Sequence, residues 1–332
     1  MPLGEFELIE RFFARAGAQR SDVRLGIGDD GAVLALPADQ ELVAVVDTLV
    51  EGVHFPPDSP PASVGHRALA VNLSDIAAMG AAPAWATLAL TLPQVDEAWL
   101  AEFTRGFAEL ARLHAVALVG GDTTRGPLCI SVQVLGLVPR GAAITRAGGR
   151  PGDFVFASGT LGDAACGLAI AQGRLASGTL AAHGPMDADW LRARFEFPEP
   201  RVALGVALRG IASACIDVSD GLYGDLGKLA TASGCAAELD LEALPLSPAL
   251  TLLAGRDHAA QLALVGGDDY ELCFCVPAAR LEALASAAPP QRFAYRRIGQ
   301  LQAGQGLRLR RGDSVIEFSS TGFDHFAAVA PR

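Results

Sequence analysis

The sequence predicts a two-domain chain of α/β (α+β) class, and three observations carry that reading. Its 332 residues exceed what one ordinary core holds, and a 51% hydrophobic composition is material for two. Helical-period segments alternate with short β-rich runs along the first half. A loop rich in glycine and arginine, Arg146-Ala-Gly-Gly-Arg-Pro-Gly-Asp153, then interrupts the pattern before it begins again. This divides the chain into residues 1–145 and 146–332.

Taken in order, Phe6, Ile9, Phe12 and Phe13 recur at helical spacing and predict an amphipathic first helix ending near Gly17. Residues 32–36 and 42–46 are β-rich runs joined by Pro37-Ala-Asp-Gln, which reads as a hairpin whose second strand delivers Asp47 at its end. Residues 64–79 read as a helix with Asn72 and Asp75 on one face. A strand over 84–92, a helix over 97–114, a buried strand over 115–119 ending in Gly-Gly-Asp122 and a strand over 129–138 complete the first half. In the second half the pattern predicts a strand over 154–157, a small-residue helix opened by Gly162, a helix over 200–212 and a strand over 214–217. Ser219 or Asp220 then caps the helix carrying Leu222, Leu226 and Leu229. Residues 262–265 lead into a second Gly-Gly-Asp, and a strand over 271–276 follows. A strand running into Gly-Gly-Asp is thus expected once in each half.

Composition excludes several classes. With 26 basic against 37 acidic residues the net charge is -11, which opposes nonspecific nucleic-acid binding. Lys228 is the single lysine, so nearly every cation is arginine, whose planar fork suits phosphate. The six cysteines form no Cys-x-x-Cys pair and no zinc spacing, and an acidic amino terminus is unlike a signal peptide; both point to a reduced, cytoplasmic setting. Residues 76–93 carry no charge, a length that raises the question of a membrane span, but Gly80, Pro83 and Pro93 break the run into a helix end and a strand. No membrane is expected. Gly26-x-Gly28-x-x-Gly31 lacks the uncharged turn and following helix of a dinucleotide fingerprint, and no P-loop is present.

The chemistry rests on carboxylates. Gly-Ile-Gly-Asp29-Asp30-Gly, Val-Val-Asp47, Asn72-Leu-Ser-Asp75, Gly-Gly-Asp122, Asp217-Val-Ser-Asp220-Gly and Gly-Gly-Asp268-Asp269-Tyr-Glu271 each set an acid beside glycine or at the end of an apolar run. Singly, each is an ordinary turn or cap. Together, Asp47, Asp122, Asp217 and Asp268 end runs apolar enough to be buried, where unpaired charge is costly and hard cations relieve it. Magnesium in such numbers accompanies nucleotide phosphates. His54 reads as a surface or hydrogen-bonded residue whose closeness to Asp47 keeps it among candidate ligands. Gly159-Thr-Leu-Gly162-Asp163 is either a phosphate-binding helix start or a plain strand-to-helix turn. Phe323 reads as core, with an aromatic lid as the minority alternative.

These segments, in this order and over nearly the whole chain, resemble the thiamine-monophosphate kinase family of the aminoimidazole ribonucleotide synthetase-like superfamily. The resemblance implies a two-domain aminoimidazole ribonucleotide synthetase-like fold with N-terminal domains pairing in a homodimer. It implies transfer of a phosphoryl group from ATP to thiamine monophosphate, giving ADP and thiamine diphosphate, with several Mg2+ ions; six Asp residues without a dedicated His, Lys or Cys nucleophile fit direct transfer better than a phosphoenzyme route. Carried over residue by residue, the magnesium ligands fall on Asp30, Asp47, Asp75, Asp122, Asp217 and Asp220. Nucleotide contacts fall on Gly121, Asp122, Arg146 and Ser219, and substrate contacts on His54, Glu271 and Phe323. No acid or base residue is assigned. Asp29, Asp268 and Asp269 stay unassigned, with an ordinary turn as the plain alternative. Val45 and Val46 stand where the family commonly carries hydroxyl residues, leaving only main-chain carbonyls as ligands there.

Overall fold

The computed structural model describes residues 4–174 and 185–318. The chain divides into two compact units, Met1–Ala143 with Glu196–Arg209, and Ile144–Phe195 with Gly210–Arg332. Phe323 lies outside the described residues.

The first unit opens with α1 (Glu5–Leu8), which widens into a π-turn over Ile9–Phe13. Strands β1 (Val23–Leu25) and β2 (Val33–Leu34) pair with each other, Val23 opposite Leu34. The expected hairpin of residues 32–36 with 42–46 is therefore not formed. The first of those runs pairs backwards, and this makes the Gly-Asp-Asp-Gly segment the connection of a small ribbon.

A four-stranded sheet follows in the order β3 (Gln40–Val50), β6 (Cys129–Pro139), β4 (Ala82–Leu92), β5 (Ala117–Arg125). Only the β4–β5 pair is parallel, joined by helix α3 (Glu97–Leu113), which Asp96 caps by accepting from the amides of Ala98 and Trp99. Helix α2 (Pro61–Ala78) packs on α3, β3 and β6, and its apolar face is sealed by Leu69, Leu73 and Ile76. The charge-free run 76–93 splits into the end of α2 and strand β4, and among the described residues no helix is long and apolar enough to cross a membrane.

The second unit is built on a seven-stranded sheet. Its strands are β7 (Phe154–Ser158), β8 (Ala214–Val218), β9 (Ala236–Asp240), β10 (Glu271–Val276), β11 (Tyr295–Gln302), β12 (Leu307–Arg311) and β13 (Ser314–Ile316), in the order β13-β12-β9-β11-β7-β10-β8. Helix α4 (Asp163–Ala171) and helix α5 (Pro185–Glu196) precede β8. Helix α6 (Val202–Ala207) belongs to the first unit and is shorter than the 200–212 expected. Helix α7 (Leu222–Ala232) follows β8; Leu222, Leu226 and Leu229 all enter the core, as their spacing requires. Helices α8 (Pro248–Ala254) and α9 (Arg256–Val265) lead to β10. Residues 262–265 are thus the end of a helix, not a strand, so the two Gly-Gly-Asp segments sit in unlike surroundings. Short apolar runs do not distinguish strand from helix by period alone.

Candidate active site

In the first unit, Asp22 ties down the approach to the acidic loop. Its carboxylate accepts from Arg20 at 2.6 and 2.9 Å and from the indole N–H of Trp85 at 3.0 Å, and the Arg20 hydrogen bonds hold it below the usual carboxylate range. The β1–β2 ribbon then brackets Gly26–Gly31, where Asp29 Oδ1 accepts the Asp30 amide at 2.8 Å. This loop, the Gly120-Gly121-Asp122 stretch of β5 and the α1 face carrying Phe6, Ile9 and Phe13 surround a cavity of about 600 Å³. That lies within the usual range of small-molecule and cofactor sites, about 300–1,000 Å³. Gly121 is dictated by packing, since a Cβ there would lie 1.8 Å from the Leu88 carbonyl oxygen. Asp30, Gly121 and Asp122 therefore meet at one cavity.

Asp47 does not join them. It pairs with Val132, which pairs with Leu88, which pairs with Gly121, so Asp47 and Asp122 stand on opposite edge strands. Three strand spacings of about 4.8 Å separate them by roughly 14 Å, too far to share an ion within one chain. Nor do these acids end buried runs as expected: β3 continues to Val50 and β5 to Arg125, Asp30 and Asp122 are exposed, and Asp47 and Asp75 are half-buried. Of the acids read this way, only Asp217 is buried. Val46 is 62% exposed, while Thr48 hydrogen-bonds Ser131 across the sheet at 2.7 Å. The imidazole Nδ1 of His54 accepts the Val50 amide at 3.0 Å, which places the ring proton on Nε2.

In the second unit, Asp217, Ser219, Asp220 and the segment 266–271 gather at one end of the sheet. Glu271 pairs with Val218 and Leu272 with Asp217, and the Asp268 amide donates to the Ser219 carbonyl at 2.9 Å. The expected cap is absent: Gly221 stands at the start of α7, and Asp225 instead reaches back to accept the amides of Ser219 (3.0 Å) and Asp220 (2.9 Å). Lys228 bridges Asp220 at 2.6 Å and Asp225 at 2.9 Å. Burial pulls its ammonium down, but those two carboxylates outweigh it and the net shift is upward. Burial raises Asp225. Neither residue is among the candidate site residues read from the sequence, although a single lysine three residues after an aspartate is a visible signal. Arg146 is exposed, and its carbonyl accepts from Ser233.

Glu271 has no exposed surface. Ser158 donates to it at 2.5 Å and Arg194 of α5 at 2.8 Å, and a Cβ on Gly159 would lie 2.1 Å from its Oε1. Asp269 is not a simple turn residue. It is buried and accepts the amides of Gly162 (2.6 Å) and Ala164 (3.2 Å), so a protein carboxylate already occupies the start of α4. The phosphate-binding alternative for Gly159–Asp163 fails for that reason. Asp163, also buried, accepts from Thr160 and Ser247. Desolvation raises both carboxyls.

As donors, these carboxylates are hard oxygens of the type magnesium takes. No group of three or more His, Cys, Asp or Glu residues among the described residues is arranged to hold an ion. Magnesium commonly uses one or two protein carboxylates, with waters and substrate phosphates completing the shell, and Asp30 and Asp122, exposed at one cavity, are donors of that chemistry.

The fold and these acidic loops define an AIR synthase related protein: residues 28–138 match the model of the N-terminal domain of that family and residues 150–312 that of its C-terminal domain. The thiamine-monophosphate kinase of Escherichia coli strain K12 is 48% identical over 328 residues, covering 98% of this chain and 99% of its own. A crystal structure of the thiamine-monophosphate kinase from Stenotrophomonas maltophilia K279a matches with a TM-score of 0.84 and 49% identity, over 93% of this chain and 97% of that one. AaThiL complexed with AMPPCP and TMP matches with a TM-score of 0.76 and 30% identity, over 98% of this chain and 99% of that one. The chain belongs to the thiamine-monophosphate kinase family.

Proposed function

We propose that this protein transfers the γ-phosphoryl group of ATP directly to thiamine monophosphate, giving thiamine diphosphate and ADP. What supports the reading most directly is the cavity where Asp30 meets Gly121 and Asp122, in a chain similar over its whole length to kinases of that name. The acceptor is a phosphate monoester, mostly dianionic at neutral pH because its second proton leaves near pH 6. It needs no general base. His54, with its proton on Nε2, acts as a hydrogen-bond donor toward an acceptor phosphate oxygen.

Gly121, Asp122, Arg146 and Ser219 hold the nucleotide. Asp30, Asp47, Asp75, Asp122, Asp217 and Asp220 hold magnesium, which when bound neutralises the two polyanions and the charge of a loose transition state. Asp220 already carries Lys228, so binding a cation there displaces or shares that ammonium. Glu271 and Phe323 stand on the thiamine side. Since Glu271 is paired with Arg194, contact with a cationic ring would exchange one cation for another. The protein works as a cytoplasmic homodimer, paired through first units whose sheet leaves Leu42 and Val46 uncovered.

The test is ADP release on mixing the protein with ATP, magnesium and thiamine monophosphate, with formylglycinamidine ribonucleotide as control acceptor. Turnover with the thiamine ester alone is expected. Its absence overturns the proposal.

A further inference from the structure

We propose that the second unit holds a small-molecule site of its own, on the face of β9, β11 and β12 turned away from the core, which takes a zwitterionic phosphate ester of the thiamine diphosphate class; the choice of that class rests on the reaction proposed above. Leu239, Leu301 and Leu309 enter the core, so alternation along the strands puts Glu238, Asp240, Gln300 and Arg310 on the other face. Together with Arg297 they line a cavity of about 410 Å³. That volume falls within the range of sites for whole small molecules, and a lone inorganic anion would leave most of it unfilled. Two guanidinium groups and two carboxylates share the cavity, which matches it to a ligand carrying both signs of charge.

The hydrogen bonds already made in the cavity specify what is left for a ligand. Arg310 is engaged, donating to Glu238 at 3.2 Å. Arg297 is not: its guanidinium lies 3.7 Å over the Phe154 ring, and among the described residues no carboxylate pairs with it. Stacking occupies the face of a guanidinium and leaves its N–H edge, the geometry that grips a phosphate through two bonds. The register breaks between Arg297 and Gly299, a bulge of the kind that re-aims side chains beside functional sites. Gly299 itself lets β11 close on β9, since a Cβ there would lie 2.1 Å from the Glu238 carbonyl oxygen. Asp240 uses one oxygen to accept the Glu242 amide at 2.9 Å, and Gln300 uses its amide nitrogen to donate to the Gly152 carbonyl at 2.9 Å. The second Asp240 oxygen and the Gln300 amide oxygen remain as acceptors among the described residues, so the ligand has to bring N–H or cationic groups as well as an anion. Thiamine diphosphate has all three, an aminopyrimidine and a cationic thiazolium ring joined to a diphosphate.

The experiment is calorimetric titration of the full chain with thiamine diphosphate, and with thiamine as a probe that lacks the anion, both with magnesium chelated. Without the metal the carboxylate-lined cavity of the first unit repels a diphosphate, whereas an arginine site does not. Saturable binding of one thiamine diphosphate per chain is expected, and none of thiamine. Arg297→Gln should abolish that binding. Asp240→Asn, which keeps the cap on the Glu242 amide, should weaken it by about tenfold, the worth of one charge-assisted hydrogen bond. Both variants should turn over thiamine monophosphate with wild-type kcat and KM, because neither residue belongs to the reacting site. Absence of saturable binding in the wild type, unchanged affinity in Arg297→Gln, or a fall of kcat in both variants overturns the assignment. Binding in a chain that fails to phosphorylate thiamine monophosphate leaves this site standing and removes only the catalytic reading, and turnover without this binding does the reverse.

Discussion

Arg194 pairs with the buried Glu271 carboxylate, so Arg194→Met is expected to be among the costliest single changes in the second unit. The Glu271 side chain is 0% exposed and that of Arg194 12%, with 2.8 Å between them. Removing one partner of a buried pair costs about 3–5 kcal/mol, because the remaining charge stays desolvated. Ser158 keeps one hydrogen bond on Glu271, which favours the lower end, about 3 kcal/mol. For a unit of this size that is roughly 6–12 °C in Tm. Arg194 also draws down Asp163 and Asp269, both raised by burial. Without it their folded-state values rise further above the unfolded ones. A raised carboxyl contributes stability that is present at low pH and lost as pH rises through the folded value, so the penalty of Arg194→Met should grow from acid toward neutral pH. Urea unfolding of the wild type, Arg194→Met, Glu271→Gln and the double variant, repeated across pH, measures both effects. A loss under about 1 kcal/mol at neutral pH, or strictly additive single costs, would refute the reasoning.

Three further outcomes follow from the site and its frame. Burial lowers His66 and His114 below the ordinary 6.5, and each lies in the first unit; the unfolded chain then takes up protons the folded one refuses. Their stability is complete above about pH 6.5 and is lost as pH falls through the lowered values, so urea midpoints should drop between pH 7.5 and 5.5. His66→Gln, which can still donate to the Pro198 carbonyl, should flatten that slope; an unchanged slope counts against the assignment. Asp122→Asn and Asp220→Asn should each lower turnover more than tenfold with unaltered circular dichroism, whereas near-normal rates in both would mark the carboxylates as structural. Gly121→Ala, which sets a methyl against the Leu88 carbonyl, should destabilise by roughly 3 kcal/mol and abolish nucleotide binding; a stable, binding variant would show that β5 can shift.

The amino-acid sequence by itself determined most of the scaffold, and for local reasons. Leucines at 222, 226 and 229 had to share one helix face, and Asp96 before an amphipathic run had to cap α3. The glycine-flanked carboxylates and the order in which they occur carried the family resemblance. Only the tertiary structure decided partners. Residues 32–36 chose β1 over the run beyond Pro37 because pairing depends on a strand distant in the reading of any single window. Residues 262–265 became helix rather than strand through packing of α9 on α7 and α8. Glu196–Arg209 returned to the first unit, where Gly205 lies so close to α2 that a Cβ would meet the Ala77 carbonyl at 2.0 Å. The same limit applied to the acids. Their number was plain in the sequence, but Asp269 and Asp225 became internal caps and Asp47 the far edge of a sheet because burial and register are properties of the folded chain. Residue type fixed what each carboxylate can bind, and the fold fixed what it meets.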